Sequence, residues 1–190
     1  MTLKWLPNAL SVIRIVLVPM IMAAIAIGQF ANATVLFLIA GVSDALDGWL
    51  ARRFGWRTAT GAILDPIADK LLIMGVFLTL AWAALVPRWL AVLVILRDLI
   101  IVGGALSYQR RYGDFEGEPS MLGKLNTLLL IVTVLSVLVG AAGWLPVSVL
   151  ERPWPGLPWL GLLTLVLVMS TVGYVRTGLR RAAERDAHES

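Results

Sequence analysis

The segments Ser43-Asp-Ala-Leu-Asp-Gly-Trp-Leu-Ala-Arg52 and Gly61-Ala-Ile-Leu-Asp-Pro-Ile-Ala-Asp-Lys70 set four carboxylates, Asp44, Asp47, Asp65 and Asp69, inside a chain otherwise made for lipid. An aspartate at a bilayer centre costs about 2.5 to 3.5 kcal/mol on insertion scales, so acids placed there need cations beside them and mark function. The surrounding composition is 59% hydrophobic and only 15% charged over 190 residues, with a mean hydropathy of +0.85. A soluble domain carries about 25% charged residues. The chain therefore reads as an all-α polytopic membrane protein, with residues 1–190 forming one membrane domain.

Outward from the acids, six apolar stretches can be drawn near 8–28, 33–53, 62–86, 89–109, 121–143 and 157–178. Each has about the length a spanning helix needs, and helices satisfy their backbone groups internally, as hydrocarbon requires. With a cytoplasmic N-terminus, the inside segments hold Lys4, Arg52, Arg53, Arg57, Arg110, Arg111, Arg176, Arg180, Arg181 and Arg185, against Arg88 and Arg152 outside. This bias predicts six transmembrane helices with both termini cytoplasmic and residues 181–190 as a polar cytoplasmic tail. Arg14, inside the first apolar run, argues for a membrane helix with an internal partner rather than a signal peptide. Trp5, Trp82, Trp89, Trp144, Trp154 and Trp159 fall near span ends, where amphipathic rings anchor at the interface. The net charge of +4 follows from the same helix-end bias and calls for no nucleic acid.

Cysteine is absent and the one histidine, His188, lies in the C-terminal tail, so thiolate chemistry, disulfides and histidine ligation drop out. Hard oxygen ligands remain. Asp44 and Asp47 share one helical face, as do Asp65 and Asp69. The second span delivers its pair near its cytoplasmic end, and the third carries its pair in its first turns, so the four acids are expected to converge in a shallow pocket. Without cations they would repel one another. Oxygen-only ligands suit Mg²⁺ or Mn²⁺, and a pair of such ions supports phosphoryl chemistry, with one carboxylate taking the nucleophile's proton.

Gly48, Ala51 and Gly61 keep the helix surfaces low, either for a nucleotide or pyrophosphate or for close helix packing. Arg52 reaches the same phosphates or snorkels to the interface. A divalent-cation transporter would use the same acids, but its polar groups should meet at the midplane, whereas these crowd one surface. A scaffold packed through Gly103, Gly104 and other small residues leaves the carboxylates unexplained.

Taken together, Asp44-x-x-Asp47-Gly48-x-x-Ala51-Arg52, eight residues, Gly61-x-x-x-Asp65-x-x-x-Asp69 resembles the signature of the CDP-alcohol phosphatidyltransferase family at every defined position. The similarity extends to Pro7-Asn8-x-Leu10-Ser11-x-x-Arg14-x-x-x-x-Pro19, Leu64-Asp-Pro-Ile-Ala-Asp-Lys70 and Gly123-Lys-Leu-Asn-Thr127. These features resemble the branch that makes phosphatidylglycerol phosphate or cardiolipin. The resemblance implies a six-helix enzyme, usually a homodimer, that binds CDP-diacylglycerol with two divalent ions at the cytoplasmic face, with a bacterial inner membrane as the expected location. It implies that Asp44, Asp47 and Asp65 hold one ion and that Asp69 helps hold the second and acts as base. Gly48, Ala51, Arg52 and Gly61 would shape the nucleotide site, and an acceptor alcohol would attack the lipid-bearing phosphorus with release of CMP.

Relatives that use glycerol-3-phosphate typically carry Arg-Glu in the fourth span, another arginine two turns later and a second lysine in the fifth. Here the fourth span reads Arg97-Asp98-Leu-Ile-Ile-Val-Gly-Gly-Ala105, and the fifth has Asn126. That pattern looks more like the cardiolipin synthases, whose acceptor, phosphatidylglycerol, is a monoanionic diester needing less positive charge. Glycerol-3-phosphate is the alternative acceptor. Asn8, Arg14, Arg97 and Lys124 are the candidate acceptor residues by this resemblance, and Arg14 and Lys124 also suit lipid headgroups. Arg97 and Asp98 are adjacent, point apart on a helix and are expected to need separate partners.

Overall fold

The computed structural model describes residues 6–54, 59–112, 121–144 and 157–189. Among these the regular elements are six helices: α1 Leu6–Ala26, α2 Phe30–Phe54, α3 Ala59–Trp82, α4 Arg88–Tyr112, α5 Met121–Ala141 and α6 Leu157–Glu189. The apolar stretches in the sequence locate all six to within a few residues, except at the end of α6. That helix continues well past the expected end of its span at 178, because hydropathy marks where lipid stops and not where hydrogen bonding stops. Arg180 Nε donates to Glu184 Oε1 at 2.8 Å, an i,i+4 pair that supports the polar extension.

Five helices, all but α3, are long and apolar enough to cross a membrane. The exception carries Asp65, Asp69 and Lys70 within its 24 residues. Val16, Leu38, Leu78, Leu99, Leu128 and Leu165 are exposed on helix faces, a surface suited to lipid and not to water. Hydroxyls are kept from hydrocarbon by back-bonding: Thr34, Ser43, Thr79, Thr164 and Thr171 each donate to the carbonyl four residues earlier. Trp82, Trp89 and Trp144 lie exposed at helix ends, whereas Trp5 and Trp154 fall outside the described residues.

The chain divides into two compact units. The first holds α1, α2, α3 and the part of α5 from Thr133. Here α1 packs against both α2 and α3. Its buried positions, Ser11, Arg14, Leu17, Val18, Ile21, Ala24 and Ile25, recur every three or four residues and so form one stripe. α1 and α3 run in the same direction, and their meeting points advance in step from Ser11 with Asp65 to Arg14 with Asp69. Farther along, a Cβ on Gly75 would lie 2.9 Å from Met22 Sδ and 3.2 Å from Val18 Cγ1, so the missing side chain lets the two helices close.

Three helices end alike. At α1 the Gln29 N–H reaches the Ala24 carbonyl at 2.8 Å and the Gly28 N–H reaches that of Ile25 at 3.1 Å, with Gly28 at φ 78°. This is a Schellman turn, which asks for a left-handed residue. α5 closes the same way on Gly143, but α3 uses Ala84, at φ 58°. An alanine Cβ crowds the carbonyl there. Ala84→Gly is expected to stabilise the protein by about 1 kcal/mol, read as a higher Tm in detergent. An unchanged Tm would mean that this turn stores no strain.

The second unit holds α4, α5 as far as Val132, and α6. Leu90, Val94, Leu129, Leu130, Leu160, Leu163 and Leu167 are buried in it. A Cβ on Gly104 would stand 3.3 Å from Tyr174 Cε1, whereas one on Gly103 would meet nothing within 4 Å among the described residues. Among those residues, Gly104 is the one of the two that serves packing.

Candidate active site

The first unit gathers the four aspartates around one short stretch of α1. The Arg14 side chain is wholly buried and spends its guanidinium on three of them: Nη2 stands 2.9 Å from Asp44 Oδ1 and 2.5 Å from Asp47 Oδ2, and Nη1 donates to Asp69 Oδ1 at 2.5 Å. Ser11, three residues earlier on the same face, donates its hydroxyl to Asp65. The convergence expected from the i,i+3 and i,i+4 spacing is therefore present. Asp47 is buried, with 4% of its side chain exposed, whereas Asp44 and Asp69 are 49% and 50% exposed. The cluster is closed toward Asp47 and open at Asp44 and Asp69.

The physics of this arrangement lies in Arg14. A guanidinium away from water carries a large desolvation cost, which anionic partners at hydrogen-bonding distance offset. Its planar fork can serve several carboxylates at once, which a lysine ammonium does less well. The sequence placed Arg14 among acceptor candidates and required an internal partner for it. The structure supplies three, on two helices. Ser11 was quoted in the upstream motif but not singled out; its signal was its position one turn before a buried charge.

Gly48 is half-buried and Gly61 buried. The side chains of Asn8, Ala51 and Arg52 lie outside the described residues. Arg97 and Lys124 belong to the second unit, where Lys124 is exposed. Arg97 and Asp98 correct the expectation of separate partners: Arg97 Nη1 lies 2.6 Å from Asp98 Oδ1, and Nη2 reaches Ser170 Oγ on α6 at 3.5 Å. Diverging Cβ directions were a poor guide because the long arginine chain folds back across the helix surface. Asn126 is fully buried, and neither of its amide atoms has a hydrogen-bond partner among the described residues.

Carboxylate oxygens with no nitrogen or sulfur ligand among them fit a hard divalent cation. As the side chains lie, Arg14 engages those oxygens, and among the described residues no group of three or more acids forms a ready metal shell. The open faces of Asp44 and Asp69 are where further coordination is available.

The sequence profile of the CDP-alcohol phosphatidyltransferase family matches residues 4–172, a stretch that includes Arg14, all four aspartates, Arg97 and Lys124. The chain belongs to this family. A Drosophila melanogaster relative named probable cardiolipin synthase (CMP-forming) is 34% identical over 185 residues, covering 88% of this chain and 56% of its own length. A Streptomyces coelicolor cardiolipin synthase (CMP-forming) is 32% identical over 163 residues, or 81% of this chain and 74% of the relative. A Bacillus subtilis CDP-diacylglycerol–glycerol-3-phosphate 3-phosphatidyltransferase is 31% identical over 150 residues, or 70% and 76%. The chain thus spans little more than half of the Drosophila relative and about three quarters of the two bacterial ones.

Proposed function

We propose that this member of the CDP-alcohol phosphatidyltransferase family transfers the phosphatidyl group of CDP-diacylglycerol to phosphatidylglycerol, giving cardiolipin and CMP. The observation that carries the reading is the meeting of Asp44, Asp47, Asp65 and Asp69 from two helices at one place. Similarity to relatives named cardiolipin synthase supports the acceptor, as does the family resemblance, by which Ala105 and Asn126 stand where glycerol-3-phosphate users typically carry cations. The cation-transporter alternative rested on the acids alone and accounts for none of the signature around them.

In this reading all six helices span the membrane, both termini are cytoplasmic, the active site opens to the cytoplasmic face and the enzyme is a homodimer. Asp44, Asp47 and Asp65 would hold one Mg²⁺ or Mn²⁺ ion, and Asp69 would help to hold a second. Such ions, when bound, neutralise diphosphate charge and stabilise the entering and leaving oxygens. Asp69, half open to the site, accepts the proton of the acceptor hydroxyl as that oxygen bonds to the lipid-bearing phosphorus and the bond to CMP breaks. Gly48, Ala51, Arg52 and Gly61 border the nucleotide, leaving Arg97, Lys124 and Asn8 for the acceptor.

Purified protein given CDP-diacylglycerol and Mg²⁺ or Mn²⁺ is expected to release CMP and form cardiolipin with phosphatidylglycerol, and not with glycerol-3-phosphate. Release with glycerol-3-phosphate alone would make the chain a phosphatidylglycerophosphate synthase, the activity named for the Bacillus subtilis relative. No release with any polar alcohol would overturn the enzymatic reading.

A further inference from the structure

We propose that Arg14 is a resident stand-in for a divalent cation: it ties the carboxylates of the site together and competes with metal for their charge. The proposal rests on the reading of Asp44, Asp47, Asp65 and Asp69 as metal ligands, and goes beyond it by giving the metal a rival within the protein. Three facts lead there. The Arg14 side chain has no exposed surface, so its charge cannot be shared with water or lipid headgroups. Its two terminal nitrogens lie within 2.9 Å of oxygens from Asp44, Asp47 and Asp69, members of both acidic pairs. Among the described residues its Nε has no hydrogen-bond partner, and the carboxylates are the partners that hold the group in place.

Charge counting gives the direction. Four ionised aspartates and one guanidinium sum to −3, which leaves the site attractive to cations yet less repulsive than four bare carboxylates. An oxygen bonded to an arginine N–H has one fewer lone pair for a metal. Each contact still leaves its carboxylate a second oxygen, so the rivalry is one of charge: a dication entering among these acids meets the guanidinium at close range, and its affinity is lowered for as long as the three contacts persist. Ser11 adds a neutral donor to Asp65, so α1 contacts every acid of the cluster without adding charge at the fourth. Arg14 is a positioning residue here, acting through the aspartates and not on the substrate.

The test compares wild-type protein with Arg14→Gln by thermal unfolding in EDTA and in saturating Mn²⁺, and by calorimetric Mn²⁺ titration without substrate. In EDTA the variant should lose about 10 °C of Tm, as expected when a buried charge cluster loses its counter-ion. Mn²⁺ should restore most of that loss, and the variant should bind Mn²⁺ about tenfold more tightly than wild type, or about 1.4 kcal/mol. Equal Tm losses with and without Mn²⁺ would mean a merely structural arginine, and weaker Mn²⁺ binding would mean an organiser of the metal shell; either overturns competition. Should the glutamine variant fail to fold in EDTA, Arg14→Lys, which keeps the charge but loses the fork, must bind Mn²⁺ more tightly than wild type or the proposal fails. If wild-type protein binds no Mn²⁺ at all, the metal reading itself falls and this inference with it.

Discussion

Asp69→Asn is expected to lower turnover by about three orders of magnitude while changing affinity for CDP-diacylglycerol only a few-fold. The amide has the size of the carboxylate, and its oxygen can still accept the hydrogen bond that Arg14 Nη1 now gives to Asp69 Oδ1. What it loses is the capacity to take a proton. Since Asp69 lies on the open side of the cluster, half exposed, an acceptor hydroxyl can reach it without displacing a helix. Single-turnover rates of CMP release set against nucleotide binding would separate the two effects. If rate and affinity fell by the same factor, Asp69 would be a ligand alone and the proton would need another destination.

The part of a base was assigned to Asp69 by the family resemblance alone, whereas the meeting of the four acids was legible in the sequence because a helix turns a spacing into a direction. Asp65 and Asp69 lie four apart, Asp44 and Asp47 three apart, and short connections make successive helices neighbours, so two acidic faces near one membrane surface had to meet. The six helices were legible for a related reason, since runs of about twenty apolar residues have few alternatives in lipid.

What the sequence withheld was rotation. Nothing in the order of residues tells how far α1 turns about its axis, and that angle decides whether Arg14 faces acceptor, lipid or carboxylates. A charge in an apolar run signalled only that some partner existed. Arg97 shows the same limit at shorter range: the rule that neighbours on a helix point apart concerns Cβ atoms, and a side chain long enough to bend escapes it. Ala84 gave no signal, because its left-handed backbone belongs to the turn that closes α3 and not to any preference of alanine.

The two acids of α2 should behave differently although they stand three residues apart. Asp47 is almost fully buried and 2.5 Å from Arg14, whereas half of the Asp44 side chain is exposed and its contact is 2.9 Å. Removing one partner of a buried ion pair leaves a charge that water cannot reach, at a cost of about 3 kcal/mol or more. Where the acid is half open to solvent, as Asp44 is, water screens the contact, and its loss costs about 1 kcal/mol or less. In metal-free protein, Asp47→Asn should therefore lower Tm by roughly 6 to 12 °C and Asp44→Asn by no more than roughly 4 °C. Activity should not follow that ranking. If both carboxylates ligate the same ion, each substitution should lower the rate of CMP release by about two orders of magnitude or more, because an amide oxygen is a much weaker ligand for a hard cation. Equal losses of stability would show that burial does not govern the Arg14 contacts. Near-normal turnover in Asp44→Asn would remove it from the ligand set and leave it a surface partner of Arg14.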